Sequence, residues 1–183
     1  GFVLIGDDRS KKLNIGTNSI DLSSTFDGSV LRGVSGNSSF VTGLDNIVKS
    51  FGAISAGYLN ELSSNSNYSS VFGLNNKSLT NSPTGGLNFI TGKDNVSNGN
   101  LNNIFGEINT SNFSGNSILG RDNVANSNNS ILLGQQHNSK GDASILLGIK
   151  NKSNAAGEVV VGTASYDIPA LNSVSNNNDD LAF

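Results

Sequence analysis

Few residues in this chain could do chemistry. It has one histidine, His137, no cysteine, and eleven Lys or Arg set against fourteen Asp or Glu. A Ser–His–Asp relay needs a histidine beside an activated serine. A zinc centre needs several nitrogen or sulfur ligands together, and glycoside cleavage needs two carboxyl groups flanking one bond. The acidic candidates are Asp7-Asp8, Asp179-Asp180, and the single residues Asp45, Asp94 and Asp122. The last three each lie two residues after a glycine, so they read as one turn column. His137 stands three residues after Gly134, where the equivalent place is usually Asn, and reads as a surface turn residue. No Gly-x-Ser-x-Gly elbow or Gly-Gly-x-Gly-x-Asp calcium repeat occurs. We expect no catalytic, cofactor-binding or metal-binding residues, and no cofactor.

Composition narrows the partners further. The net charge is −3 and the basic residues form no run, whereas a phosphate-binding stripe needs clustered cations; we expect no nucleic-acid partner. No stretch of about 18 apolar residues occurs, so this segment should not insert into a membrane as a helix. Thr appears only eight times and fills no column, which disfavours an ice-binding face. Sequons such as Asn95-Val96-Ser97 follow from the Asn/Ser-rich composition.

The elements that would position any site come from a repeat. An apolar run ending in glycine recurs at Gly43, Gly57, Gly73, Gly92, Gly106, Gly120, Gly134, Gly148 and Gly162. From Gly92 onward the spacing is always 14 residues; the two preceding intervals are 16 and 19. The longer one contains Pro83-Thr84-Gly85-Gly86, a turn-forming insertion expected to bulge from the surface.

Aligned on the glycines, each column has its own chemistry. Two residues before Gly come Val41, Ser55, Val71, Ile90, Ile104, Ile118, Leu132, Leu146 and Val160, an inward strand position with Ser55 as the exception, expected to mark a weaker coil. Three residues after Gly come Asn46, Asn60, Asn76, Asn95, Asn109, Asn123, His137, Asn151 and Ser165. Two further on, the column is mostly small: Ser78, Ser97, Ser111, Ala125, Ser139 and Ser153. Asn tolerates left-handed backbone and bonds its own turn, and identical Asn side chains in register can form a ladder. These columns predict an all-β parallel β-roll, with two short strands of about five residues per coil and coils stacked at about 4.8 Å.

The best-formed coils carry apolar triplets: Ile131-Leu132-Leu133, Ile145-Leu146-Leu147 and Val159-Val160-Val161. Side chains alternate faces along a strand, so each triplet places apolar groups both inside and outside the coil. The outer stripe would exceed what soluble monomers usually expose, so association is expected.

The unit Asn129-Ser130-Ile131-Leu132-Leu133-Gly134, then Asn138-Ser139, then Ala143-Ser144-Ile145-Leu146-Leu147-Gly148 resembles the YadA-like head repeat of trimeric autotransporter adhesins. The resemblance covers 88–163 well, 38–86 imperfectly and the two ends poorly. It implies a left-handed β-roll of three intertwined chains; handedness and the number three come from it alone. Related modules occur in bacteriophage tail fibres, and the closing stretch 173–183 resembles linkers near the ends of phage structural proteins. No heptad stalk or β-barrel anchor accompanies the repeat.

We therefore divide the chain into irregular N-terminal coils or a cap (1–37), the repeat β-roll (38–163) and a C-terminal linker (164–183). Within the first part Phe2–Gly6, Ser19–Ser23 and Ser29–Gly33 read as strands. No signal-peptide pattern precedes Phe2-Val3-Leu4-Ile5, so the chain is expected to start after processing, to be exported by another route, or to be a fragment. The expected function is a non-enzymatic segment of a homotrimeric extracellular fibre, a phage tail fibre or similar virion appendage ahead of an adhesin passenger head on a bacterial surface. A β-helical polysaccharide-degrading enzyme is the third reading. Expected partners are two further copies of the chain and a cell-surface glycan or protein receptor, with 75–86 the expected contact loop.

Overall fold

The computed structural model describes residues 2–3, 10, 12–26, 31–83, 85–163 and 173–174. Asp7-Asp8, Asp179-Asp180, Ser165, Thr84 and nearly all of the expected linker lie outside the described residues.

The described residues form an all-β parallel solenoid, with one antiparallel pair where Ser173–Val174, inside the expected linker, joins Val159–Val160. Each coil contributes one long and one short strand, and each kind stacks into its own sheet. The long strands are five residues, as in Phe40–Leu44, Ile54–Tyr58, Ser70–Leu74, Phe89–Lys93 and so on to Val159–Thr163, which makes nine coils from Phe40. The short strands are only two residues, such as Ile47–Val48, Val96–Ser97 and Lys152–Ser153. The expectation of two five-residue strands is thus corrected for the second. The reason is local: the chain bends sharply on both sides of the short strand, which leaves two residues extended.

Register follows the columns. Ile104 pairs with Ile118, Phe105 with Leu119 and Gly106 with Gly120, and the same alignment passes through the longer coils as Gly57↔Gly73↔Gly92. The stacking also continues before residue 38: Ile20–Ser24 pairs in parallel with Phe40–Leu44, and Gly33–Val34 with Ile47–Val48.

The glycine column cannot carry side chains. Gly106 has φ +127°, and a Cβ there would stand 1.8 Å from the carbonyl oxygen of Gly120 in the next coil. The positive φ and this close approach of backbone to backbone are both open to glycine, which has no Cβ.

The interior is two side chains wide, an apolar file from the long strands facing smaller residues, many of them serine, from the short strands. Val41, Val71, Ile90, Ile104, Ile118, Leu132, Leu146 and Val160 are all buried in it. Facing them from the short strands are Val48, Leu62, Ser78, Ser97, Ser111, Ala125, Ser139 and Ser153, also buried. Size is complementary across the coil: Ser55 is followed by Leu62, whereas Ile104 is followed by Ser111 and Leu132 by Ser139. Ser55 is buried like its column mates, and Leu62 supplies the volume it lacks.

At the N-terminal end the apolar file stops. Asp21 occupies the register place of Val41, and Lys12 lies buried beside it, 3.4 Å from Asp21 Oδ1 and 2.9 Å from Ser23 Oγ. Breaking such a pair leaves an uncompensated buried charge, so both partners must be present together.

Candidate functional site

Three features of the solenoid could carry function: its interior polar ladders, its outer sheet face and its turns. The asparagine column forms the first ladder, and it runs inside the protein. Asn46, Asn60, Asn76, Asn95, Asn109, Asn123 and Asn151 are all buried. From Asn46 to Asn123 each side-chain oxygen accepts the amide N–H of the residue one coil on, for example Asn76 Oδ1 from Asn95 N at 3.0 Å and Asn95 Oδ1 from Asn109 N at 3.0 Å. Each Nδ2 donates to the glycine carbonyl of the following coil, as from Asn109 to Gly120 O at 2.8 Å and from Asn151 to Gly162 O at 2.9 Å. The side chain thus satisfies backbone groups that the bend removes from the sheets. The left-handed backbone falls on the preceding residue, among them Asp45 (φ +53°), Asp94 (+55°) and Asp122 (+57°), rather than on Asn as expected. The carboxylate turn column is therefore the strained position itself.

His137 belongs to this ladder, which corrects its reading as a surface residue: it is 1% exposed. Its Nδ1 accepts the amide N–H of Asn151 at 3.2 Å, so the ring proton resides on Nε2, 3.1 Å from the Leu133 carbonyl. The imidazole reproduces the acceptor and donor of an asparagine. Burial holds its pKa below 6.5, against an upward pull from its backbone hydrogen bonds.

A second ladder was not apparent in the repeat pattern. Four residues before the glycine, in six consecutive coils, lie Ser69, Asn88, Asn102, Asn116, Ser130 and Ser144, all buried. Asn88 Oδ1 accepts from Asn102 N at 2.9 Å and Asn102 Oδ1 from Asn116 N at 2.8 Å. Asn102 Nδ2 reaches Ser97 Oγ at 2.9 Å, which ties the small serine column to this ladder. The signal in the sequence was the Asn or Ser before most long strands, hidden by the mixture of the two residues and by Ala53 and Glu158.

The outer face of the long-strand sheet is apolar. Along Ile131–Gln135 the pattern is exposed Ile131, buried Leu132, exposed Leu133, and Val159–Thr163 repeats it with Val159, Val160 and Val161. Stacked in register with them are Leu119, Phe105 and Phe89. The aromatic members touch: ring centroids are 5.9 Å apart for Phe72–Phe89 and 5.4 Å for Phe89–Phe105. Asn103 and Ser117 interrupt the apolar rows, and there a shallow recess of ≈ 400 Å³ opens between Phe105, Leu119 and Leu133.

At the turn beyond this face, polar residues line a smaller hollow of ≈ 150 Å³: Arg121, Asp122, Gln135 and Gln136. Beside it Lys93 and Arg121 flank Glu107 at 3.4 and 3.9 Å. Among the described residues no three of His, Cys, Asp or Glu gather as a metal site, and no helix is long and apolar enough to cross a membrane. Comparison with protein-family models, curated proteins and solved structures finds no match.

Proposed function

We propose that this chain is a non-catalytic segment of a homotrimeric extracellular fibre, in the manner of a phage tail fibre or similar virion appendage. The observation that carries the reading is the outer sheet face, where Phe105, Leu119, Leu133, Leu147 and Val161 stack in register on five successive coils, all exposed except the half-buried Leu147. A face of this extent is characteristic of an interaction surface, and burying it contributes about 25 cal/mol per Å². The number three rests on the likeness of the repeat to YadA-like heads. A stack of coils is a one-dimensional rod in which each repeat is supported by its neighbours, and nine coils at about 4.8 Å span about 43 Å. Such a rod suits a spacer or head that holds a recognition surface away from a virion.

The test is the mass of the particle in solution by sedimentation equilibrium. We expect a trimer at micromolar concentration, and Leu133→Asp should dissociate it, since a carboxylate would have to enter an apolar interface. A folded wild-type monomer at that concentration would refute the reading. Cleavage of a polysaccharide, lost on changing a single carboxylate, would replace it with the enzymatic one.

A further inference from the structure

In the coil that precedes Phe40 three columns of the repeat change together. Asp21 stands in register with Val41, and Ser23 with Gly43. Lys12 bridges Arg32, whose neighbour Gly33 pairs with Ile47, so Lys12 and Arg32 stand in the file that Asn46 continues. Aliphatic, glycine and asparagine have become carboxyl, hydroxyl and amine, and the three side chains meet. Lys12 Nζ is 3.4 Å from Asp21 Oδ1 and donates to Ser23 Oγ at 2.9 Å and to the Ser23 carbonyl. Ser23 Oγ donates in turn to Asp21 Oδ1 at 2.7 Å, and Ser23 N to the same oxygen at 3.0 Å.

The site is dry and its backbone is fixed. The Lys12 and Asp21 side chains are both 0% exposed. Asp21 pairs with Val3 on one side and Val41 on the other, while Leu13 N, next to Lys12, donates to Arg32 O at 2.6 Å. Asp21 Oδ2 is buried with no hydrogen-bond partner among the described residues, and it packs on Gly33, where an added Cβ would collide with it. A charged carboxylate oxygen is costly in such a place, whereas a neutral carbonyl oxygen costs less.

We propose that Lys12 and Asp21 join in an intramolecular amide bond as the chain folds. The Nζ lone pair forms a bond to Asp21 Cγ, and the Cγ–Oδ1 bond breaks. The ammonium brings three protons and the amide keeps one. The other two pass through Ser23 Oγ to Oδ1, which departs as water. No oxidant, reductant or second molecule takes part. The remaining N–H keeps its bond to the Ser23 carbonyl, and Oδ2 becomes the amide oxygen. Amide formation is uphill between free groups in water, but an amine and a carboxyl held together by folded backbone react as though highly concentrated. The bond closes residues 12–21 into a ring at the end of the rod, and in a chain without cysteine it supplies a crosslink that reducing agents leave intact.

The experiment weighs the full chain by mass spectrometry after denaturation, with circular dichroism of the same sample to show that it folds. We expect a chain lighter than its sequence by one water. Trypsin should leave the backbone uncut after Lys12 and release 12–32 as a peptide that yields no fragments from between residues 12 and 21. Lys12→Arg keeps the positive charge without the amine nucleophile and should show its full mass. Ser23→Ala should slow the loss of water about a hundredfold, followed at intervals after cell-free synthesis. A folded wild-type chain of full mass overturns the bond. So does a loss of water that persists in Lys12→Arg, which would belong to an aspartyl succinimide. Should Lys12→Arg fail to fold, the wild-type digest decides, since cleavage after Lys12 refutes the crosslink. An unchanged rate in folded Ser23→Ala overturns the proton route, and with it the mechanism. The bond stands or falls independently of the trimer.

Discussion

Between Lys93 and Thr163 every coil has fourteen residues and ten side chains are charged, whereas from Ser50 to Gly92 two coils run long and one ion pair is the only charge. Yet the two regions stack as one body. The asparagine ladder crosses both long coils unbroken, from Asn60 to Asn76 at 3.0 Å and from Asn76 to Asn95 at 3.0 Å. The extra residues leave after the short strand, where Asn81 and Pro83 are exposed, and rejoin before the next buried Asn or Ser. Period is therefore secondary: what each coil must supply is a glycine, a buried amide or its His137 equivalent, and a correctly sized interior pair. Loops inserted between those places cost little, because loop-closure entropy grows slowly with length.

The comparison can be broken most sharply at Leu62. In the irregular region its side chain fills the space left by Ser55, so Leu62→Ala should cost about 2–5 kcal/mol in chemical denaturation. The corresponding change in the regular region, Ser139→Ala, should cost far less, since Leu132 already fills that coil. Equal costs would mean that interior size is not what makes the two kinds of coil equivalent.

The regular region should in turn show a pH dependence that the irregular one lacks. His137 has a folded pKa below 6.5, so the unfolded chain takes up the proton first as pH falls. Stability is fully present above about pH 6.5 and declines below it, by at most about 1.4 kcal/mol per pH unit for one proton. Protonation would also place a second donor opposite the Asn151 amide. His137→Asn restores the ladder's usual residue and should flatten that part of the profile. A wild-type curve with no His137-dependent slope between pH 6.5 and 5 would contradict the buried neutral ring.

The smallest effect is expected at Ser55, whose buried Oγ has no hydrogen-bond partner among the described residues. Ser55→Ala removes an unsatisfied hydroxyl at nearly constant shape and should raise stability by about 1 kcal/mol. A loss instead would show that a partner for this hydroxyl is present in the folded chain.

Much of the architecture was readable from residue spacing alone. A recurring glycine with an aliphatic residue two places earlier can be satisfied by stacked parallel strands, and the triplets announce an apolar outer face because side chains alternate along a strand. The carboxylates at Asp45, Asp94 and Asp122 were rightly placed on a turn for the same reason of fixed offset.

What the spacing did not decide was which side of the coil a polar column would face. Asn109 and His137 read as surface residues because amides and imidazoles normally prefer water. They lie inside because each bend strands a backbone amide and carbonyl that no sheet neighbour can reach. Only the stack of one coil on the next creates those unpaired groups, so only the tertiary structure could turn a polar residue into an interior one.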